Sequence, residues 1–288
     1  MSGLKSIVVG IDFSGCSRAA MQHALRIAGW SGASVHAIHV VDVPADPAAE
    51  GLRLSTAQHE IGAALAAEAR ARWPEFAASV PGAAGMHLEI RTAGRIEGIR
   101  LELESRAADL LVVGARGAGK PNVGLGTLAT GCLRNVPTDV LIVRDNSPIP
   151  LRTIVAGIDF SSTNRRALDA AARVARGEDA RLYAVHVVTA PDGSSETAAR
   201  LSAEHGPGLA EFTADATLEL AGLEMRNEVF PYRGHRSGLL EFCAVVNADL
   251  LAIGTRGRTN LRDVVLGSTA EKVMRDSVCA VWASKPRD

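Results

Sequence analysis

The sequence predicts two α/β domains in tandem, each a doubly wound, five-stranded parallel sheet of Rossmann-like order. Three observations point there. The chain is written twice, strand-like and helix-like hydrophobic periods alternate within each copy, and 288 residues suit two domains of about 100–150 residues. "IVVGIDFS" at 7–14 returns as "IVAGIDFS" at 154–161, and "VHAIHVVD" at 35–42 returns as "LYAVHVVT" at 182–189, both offset by 147. "ADLLVVGARG" at 108–117 returns as "ADLLAIGTRG" at 248–257, offset by 140, so the seven-residue change falls mid-repeat, where insertions cost little. A Pro-bearing stretch, "RDNSPIPLR" at 144–152, reads as a linker and sets the domains at 1–146 and 151–288.

Taken in order, residues 5–11 are a short β-rich run. Ala20, Ala24, Leu25, Ile27 and Ala28 then recur at helical spacing, as do Ala167, Leu168, Ala171, Val174 and Ala175 in the second copy. A second apolar run at 34–41 precedes an Ala-rich helical stretch at 52–79, and Met86, Leu88 and Ile90 alternate as a half-buried strand. A helix at 95–106, a strand at 109–113, a helix at 127–135 and a strand at 139–143 complete the copy. Strands alternating with helices imply right-handed crossovers and a parallel sheet covered on both faces. The last strands, "DVLIV" at 139–143 and "CAVWA" at 279–283, would be apolar edges open to mispairing. Pairing one against the other buries both.

Composition excludes several function classes. A net charge of −1 lacks the basic footprint of a nucleic-acid binder and gives no electrostatic attraction to a membrane. Apolar runs such as "LLVVGA" fall far short of the roughly 20 residues of a membrane helix. Cys16, Cys132, Cys243 and Cys279 are scattered, with no C-x-x-C pair, and the N-terminus runs straight into a strand-like segment. The expectation is a soluble protein of the reducing cytoplasm, without zinc or structural disulfides.

The best-repeated segments are strand-to-helix junctions, where open α/β sheets bind ligands. One junction is Gly10-Ile11-Asp12-Phe13-Ser14, matched by Gly157-Ile158-Asp159-Phe160-Ser161. The other is Gly114-x-Arg116-Gly117, matched by Gly254-x-Arg256-Gly257. If strands one and four are neighbours, these loops face each other. "GARGAGKP" at 114–121 imitates a P-loop, but Pro121 stands where a hydroxyl should ligate magnesium, and the second copy reads "GTRGRTNL" without the Gly-Lys pair. A P-loop also follows the first strand and leads directly into a helix. What the copies share is Gly-x-x-Gly, a spacer, then Gly and a hydroxyl: Gly114, Gly117, Gly126 and Thr127, against Gly254, Gly257, Gly267 and Ser268. Glycines let main-chain amides approach phosphate oxygens, and Gly126-Thr127 and Gly267-Ser268 open helices whose free N–H groups favour an anion. Arg116 and Arg256 could add charge, as could Arg258 in the second copy alone.

This pattern, with Asp12 and Asp159, resembles the universal stress protein family in its tandem, nucleotide-binding form, over essentially the whole chain. The second copy has the family's nine residues between Gly257 and Gly267; the first has eight between Gly117 and Gly126. The resemblance implies an adenine nucleotide alpha hydrolase-like fold and a regulatory protein of the stress response that binds ATP, or ADP or AMP, with or without magnesium. It implies that Asp12 and Asp159, with the backbones of Val40 and Val187, hold the adenine and ribose end. It further implies an intrachain pseudo-dimer and a homodimer.

Plainer readings stand beside these. Ser268-Thr269-Ala270-Glu271 is also a capping box, although the first copy has Thr130 where Glu271 would fall. Asp12 and Asp159 could cap the next helix with Ser14 and Ser161. His39 and His186 read as hydrogen-bonded core histidines, and Gly94, Gly98, Gly234 and Gly238 as packing glycines. With no repeated general base beside the glycine loop, catalysis is not expected beyond slow ATP hydrolysis, although an ATPase or phosphotransferase stays the alternative, as does a nucleotide-free scaffold.

Overall fold

The computed structural model describes residues 3–43, 56–117, 124–190, 194–214, 222–257 and 266–286. Two compact units are present. The first comprises residues 1–138 with 143–145, and the second comprises 139–142 with 146–288.

In the first unit, β1 (Ser6–Gly10), β2 (Ser34–Val41), β3 (Leu88–Thr92) and β4 (Leu110–Gly114) lie side by side in the order β3-β2-β1-β4, all parallel. Ile7, Val8 and Val9 of β1 and Leu110, Leu111 and Val112 of β4 are fully buried. Such unbroken apolar runs are what a parallel sheet covered on both faces requires. The helices are α1 (Gly15–Ser31), α2 (Thr56–Ala78), α3 (Arg95–Ser105) and α4 (Thr127–Asn135). Travel along the sheet reverses between β3 and β4. Right-handed crossovers therefore put α1 and α2 on one face and α3 with α4 on the other, and α3 packs against α4.

The second unit repeats the plan with β6 (Thr153–Gly157), β7 (Arg181–Thr189), β8 (Met225–Tyr232), β9 (Leu250–Gly254) and β10 (Ala280–Ser284). Between them run α5 (Ser162–Glu178), α6 (Ser195–Ala214), α7 (His235–Val245) and α8 (Ser268–Asp276). The intervening strand β5 (Asp139–Val143) gives residues 139–142 to this unit, in the order β5-β10-β9-β6-β7-β8. Here β5 pairs antiparallel with β10, Ile142 opposite Val281 and Leu141 opposite Trp282. Asp139 clasps the pair: its carboxylate accepts from the Lys285 amide at 2.9 Å, Trp282 Nε1 at 3.3 Å and Arg166 Nη2 at 3.2 Å.

Local signals explain the element ends. Ser14 and Ser161 cap α1 and α5, each Oγ accepting an amide three residues on, from Ser17 at 3.1 Å and Asn164 at 3.2 Å. Gly32 ends α1 in the left-handed region, where a glycine carries no side-chain penalty. Two expectations shift. The third strand covers 88–92 rather than starting at Met86, because Met86 closes a turn, its amide donating to Ala83 and its carbonyl accepting Trp73 Nε1 at 2.8 Å. The long helix covers 56–78, and the remainder of the expected 52–79 at its start lies outside the described residues. On the edge of the first unit, fully buried Glu102 of α3 receives Arg91 of β3 at 2.6 Å and Arg106 at 2.9 Å. Burial alone would raise its pKa, but the hydrogen bonds from Arg106 and Arg91 hold it below the usual carboxylate value.

Candidate functional site

The strand order puts a crevice past the carboxyl ends of β1 and β4, and another past β6 and β9, because each pair straddles the point where the order reverses. The first wall of each crevice is the aspartate loop. Asp12 Oδ1 accepts the Ser14 amide at 3.0 Å, and Asp159 Oδ1 accepts the Ser161 amide at 2.9 Å. The next residues, Phe13 and Phe160, have φ of 62° and 64°, a conformation that costs a bulky side chain about 1–3 kcal/mol. Packing holds them there. Phe13 meets His39 at 5.2 Å and the edge of Phe76 at 5.6 Å, with the Arg72 guanidinium 4.4 Å above it. Phe160 meets His186 at 4.6 Å and Phe212 at 5.5 Å. His39 and His186 donate from Nδ1 to the carbonyls of Ile11 and Ile158 at 2.7 and 2.9 Å, fixing the loop where it leaves the strand.

The glycine loop forms the facing wall. Ser14 Oγ donates to the Arg116 carbonyl at 3.4 Å, and Ser161 Oγ to the Arg256 carbonyl at 3.4 Å, where Thr163 also donates. The two junctions are therefore stitched together. A Cβ on Gly117 would lie 2.9 Å from Asp12 Oδ2, and one on Gly257 would lie 3.1 Å from Asp159 Oδ2. The missing side chains are what let each carboxylate lie against the loop.

The loop ends at a helix start. Gly126 and Gly267 are the N-caps of α4 and α8, their own amides tied back to the carbonyls of Ala115 and Thr255 at 2.8 and 2.9 Å. The first bonds of these helices run from Thr130 to Gly126 and from Glu271 to Gly267. The amides of 127–129 and 268–270 thus have no intrahelical acceptor. Against the capping-box alternative, Gly267 takes the N-cap position and Ser268 is the first helical residue.

Both crevices are real cavities, of about 410 Å³ in the first unit and about 540 Å³ in the second. Gly10, Asp12, Val40, Gly114, Arg116, Gly117, Gly126 and Thr127 all line the first. Gly157, Asp159, Val187, Gly254, Gly257 and Gly267 line the second.

Comparison with known proteins decides the family. Residues 3–144 and 150–285 each match the model of the universal stress protein family. The chain belongs to that family. Universal stress protein Rv2623 of Mycobacterium tuberculosis is 26% identical over 290 residues, covering 93% of this chain and 92% of that protein. Universal stress protein MJ0531 of Methanocaldococcus jannaschii is 29% identical over 141 residues, 46% of this chain and 82% of that protein. A universal stress protein from Archaeoglobus fulgidus shares the fold, with a TM-score of 0.68 at 23% identity over 97% of this chain and 98% of its own.

Within this family frame the two repeats differ. Arg116 is nearly buried, its side chain 10% exposed, and reaches Asp145 at 3.5 Å. Arg256 does not line the second cavity; its carbonyl is held by Ser161 and Thr163, and its Nε is buried without a described partner. Arg258 and the side chains of Ser268 and Thr269 lie outside what is described, as do Lys120 and Pro121. Sequence reasoning missed Asp42, Glu68, Arg72 and Arg95 on the first cavity and Asn164, His235 and Leu239 on the second. Arg95 and His235 carried a usable signal, since each follows the repeated glycine at 94 or 234. Gly98 and Gly238 on the same helices pack on the strand below, a Cβ meeting Val40 Cγ1 at 2.8 Å and Val187 Cγ1 at 2.6 Å. Burial lowers the pKa of His186, against the opposing effect of its bond to the Ile158 carbonyl.

Proposed function

We propose that each repeat binds an adenine nucleotide, ATP foremost, and that occupancy of the two sites regulates the protein in the stress response. One observation carries this reading: in both units an aspartate, a side-chain-free glycine loop and a helix N-terminus capped by a glycine line the same cavity. Such a helix start, with its positive dipole end, suits a phosphate chain. Thr127 and Ser268 would add hydroxyls, Arg116 a charge, and Asp12 or Asp159 acceptors for ribose hydroxyls. Magnesium would arrive with the phosphates. The reading extends to a cytoplasmic protein that dimerises; light scattering that finds only monomer dismisses the homodimer. Nucleic acid and membrane are not its partners on this reading, and no helix among the described residues is long and apolar enough to cross a bilayer.

Equilibrium dialysis against labelled ATP tests the assignment. Two equivalents should bind per chain, and Gly267→Val, which places a branched side chain at the mouth of α8, should remove one. Unchanged stoichiometry in that variant refutes the placement.

A further inference from the structure

The two cavities differ at one main-chain carbonyl of their walls. Ile158 donates its amide to the Val185 carbonyl at 2.8 Å, and Ile11 donates to Ile38 at 2.8 Å. Main-chain groups of a strand face a given neighbour at every second residue. The next groups on those edges are at Val187 and Val40, past the ends of β6 and β1 and on the cavity walls.

In the second unit the Val187 carbonyl is occupied. His235 Nδ1 lies 2.7 Å from it, and because a carbonyl only accepts, Nδ1 carries the proton. His235 Nε2 is steadied by Thr189 Oγ1 at 3.3 Å. Offset by the repeat, the matching residues of the first unit are Arg95 and Asp42, and these pair with each other at 2.9 Å. That ion pair engages the Arg95 guanidinium, and among the described residues no counterpart of the His235 bond is made to the Val40 carbonyl. One slot holds a cap; the other is open.

We propose that His235 caps the base-reading carbonyl of the second cavity, so that this site accepts purine nucleotides without reading a 6-amino group, whereas the first site selects for it. The inference rests on the reading of both cavities as nucleotide sites, with the base against the Val40 and Val187 backbones as the family resemblance implies. An exocyclic amine is a donor and gains from an open acceptor at Val40. At Val187 one of the carbonyl's two lone pairs is taken by His235, whose ring lines the cavity beside it, so the amine gains less and losing it forfeits little there. The cap holds whether or not His235 is charged, because Nδ1 donates in both states.

The test uses the full-length chain with one site silenced, by Asp12→Ala to isolate the second and by Asp159→Ala to isolate the first. Gly117→Val and Gly257→Val provide the same separation should an aspartate variant unfold. Calorimetric titrations compare ATP with purine riboside triphosphate, which has hydrogen in place of the 6-amino group. The first site should prefer ATP by about 5-fold or more, and the second should bind both within about 2-fold. His235→Ala, or His235→Arg with Thr189→Asp, should raise the second site's preference to the level of the first. A second site that prefers ATP as strongly as the first with His235 in place overturns the proposal, as does an unchanged ratio in His235→Ala. Absence of binding by either compound at both sites overturns the nucleotide reading itself and this proposal with it.

Discussion

Asp12 and Asp159 divide their oxygens between two tasks. One oxygen holds the loop through the Ser14 or Ser161 amide, and the other lies against Gly117 or Gly257. Replacing Asp159 by Asn keeps an acceptor for the loop but removes the charge, so thermal stability should change by less than about 1 kcal/mol while ATP affinity at the second site falls about tenfold; calorimetry beside a thermal melt separates the two. His186 gives a pH signature. Its folded pKa lies below the ordinary 6.5, so the unfolded chain takes up the proton first as pH falls. Stability from this group is complete above 6.5 and declines as pH drops from there toward the lower folded value. His186→Asn should flatten that part of the urea-midpoint profile between about pH 7.5 and about pH 5.5. The aspartates and glycines were legible because they recur at fixed offsets on strand ends. Glu68 and Arg72 were not, since they sit on α2, in the part of the chain where the copies differ in length and no register could be read.

At the scale of elements, the alternation of strand and helix predicted the parallel sheet and the helices between its strands, whereas the neighbouring of β1 with β4 and of β6 with β9, which periodicity leaves open, is seen only in the strand pairing. Boundaries were less visible. Nothing in the alternation of Met86, Leu88 and Ile90 reveals that Trp73, thirteen residues upstream, ties Met86 into a turn. The capping-box alternative loses for a similar reason: Ser and Glu three apart look like a capping box, but the preceding glycine takes the cap position. The clasp at Asp139 was also hidden, because its partners Trp282 and Lys285 lie more than 140 residues away. Asp139 is 6% exposed, so Asp139→Ala leaves Trp282 Nε1 and the Lys285 amide without their acceptor. Chemical denaturation should show a loss of about 3 kcal/mol, near the lower end for a broken buried pair because Arg166 keeps some solvent.

At the scale of the whole molecule, the sequence repeat and the compact unit do not share a border. Residues 139–142 belong by sequence to the first copy and by contact to the second unit. A fragment beginning near residue 137 should therefore be more stable than one beginning at 151, which exposes the apolar edge of β10. Comparison of their denaturation midpoints checks this, and equal midpoints would contradict it. The central claim is that bare main-chain amides and a facing carboxylate make a nucleotide site in each half of the chain. Native mass spectrometry of the intact protein in millimolar ATP tests it most directly. The account predicts mass increments of one and two adenine nucleotides, with the second increment lost in Gly267→Val. A chain that keeps its bare mass throughout would contradict it.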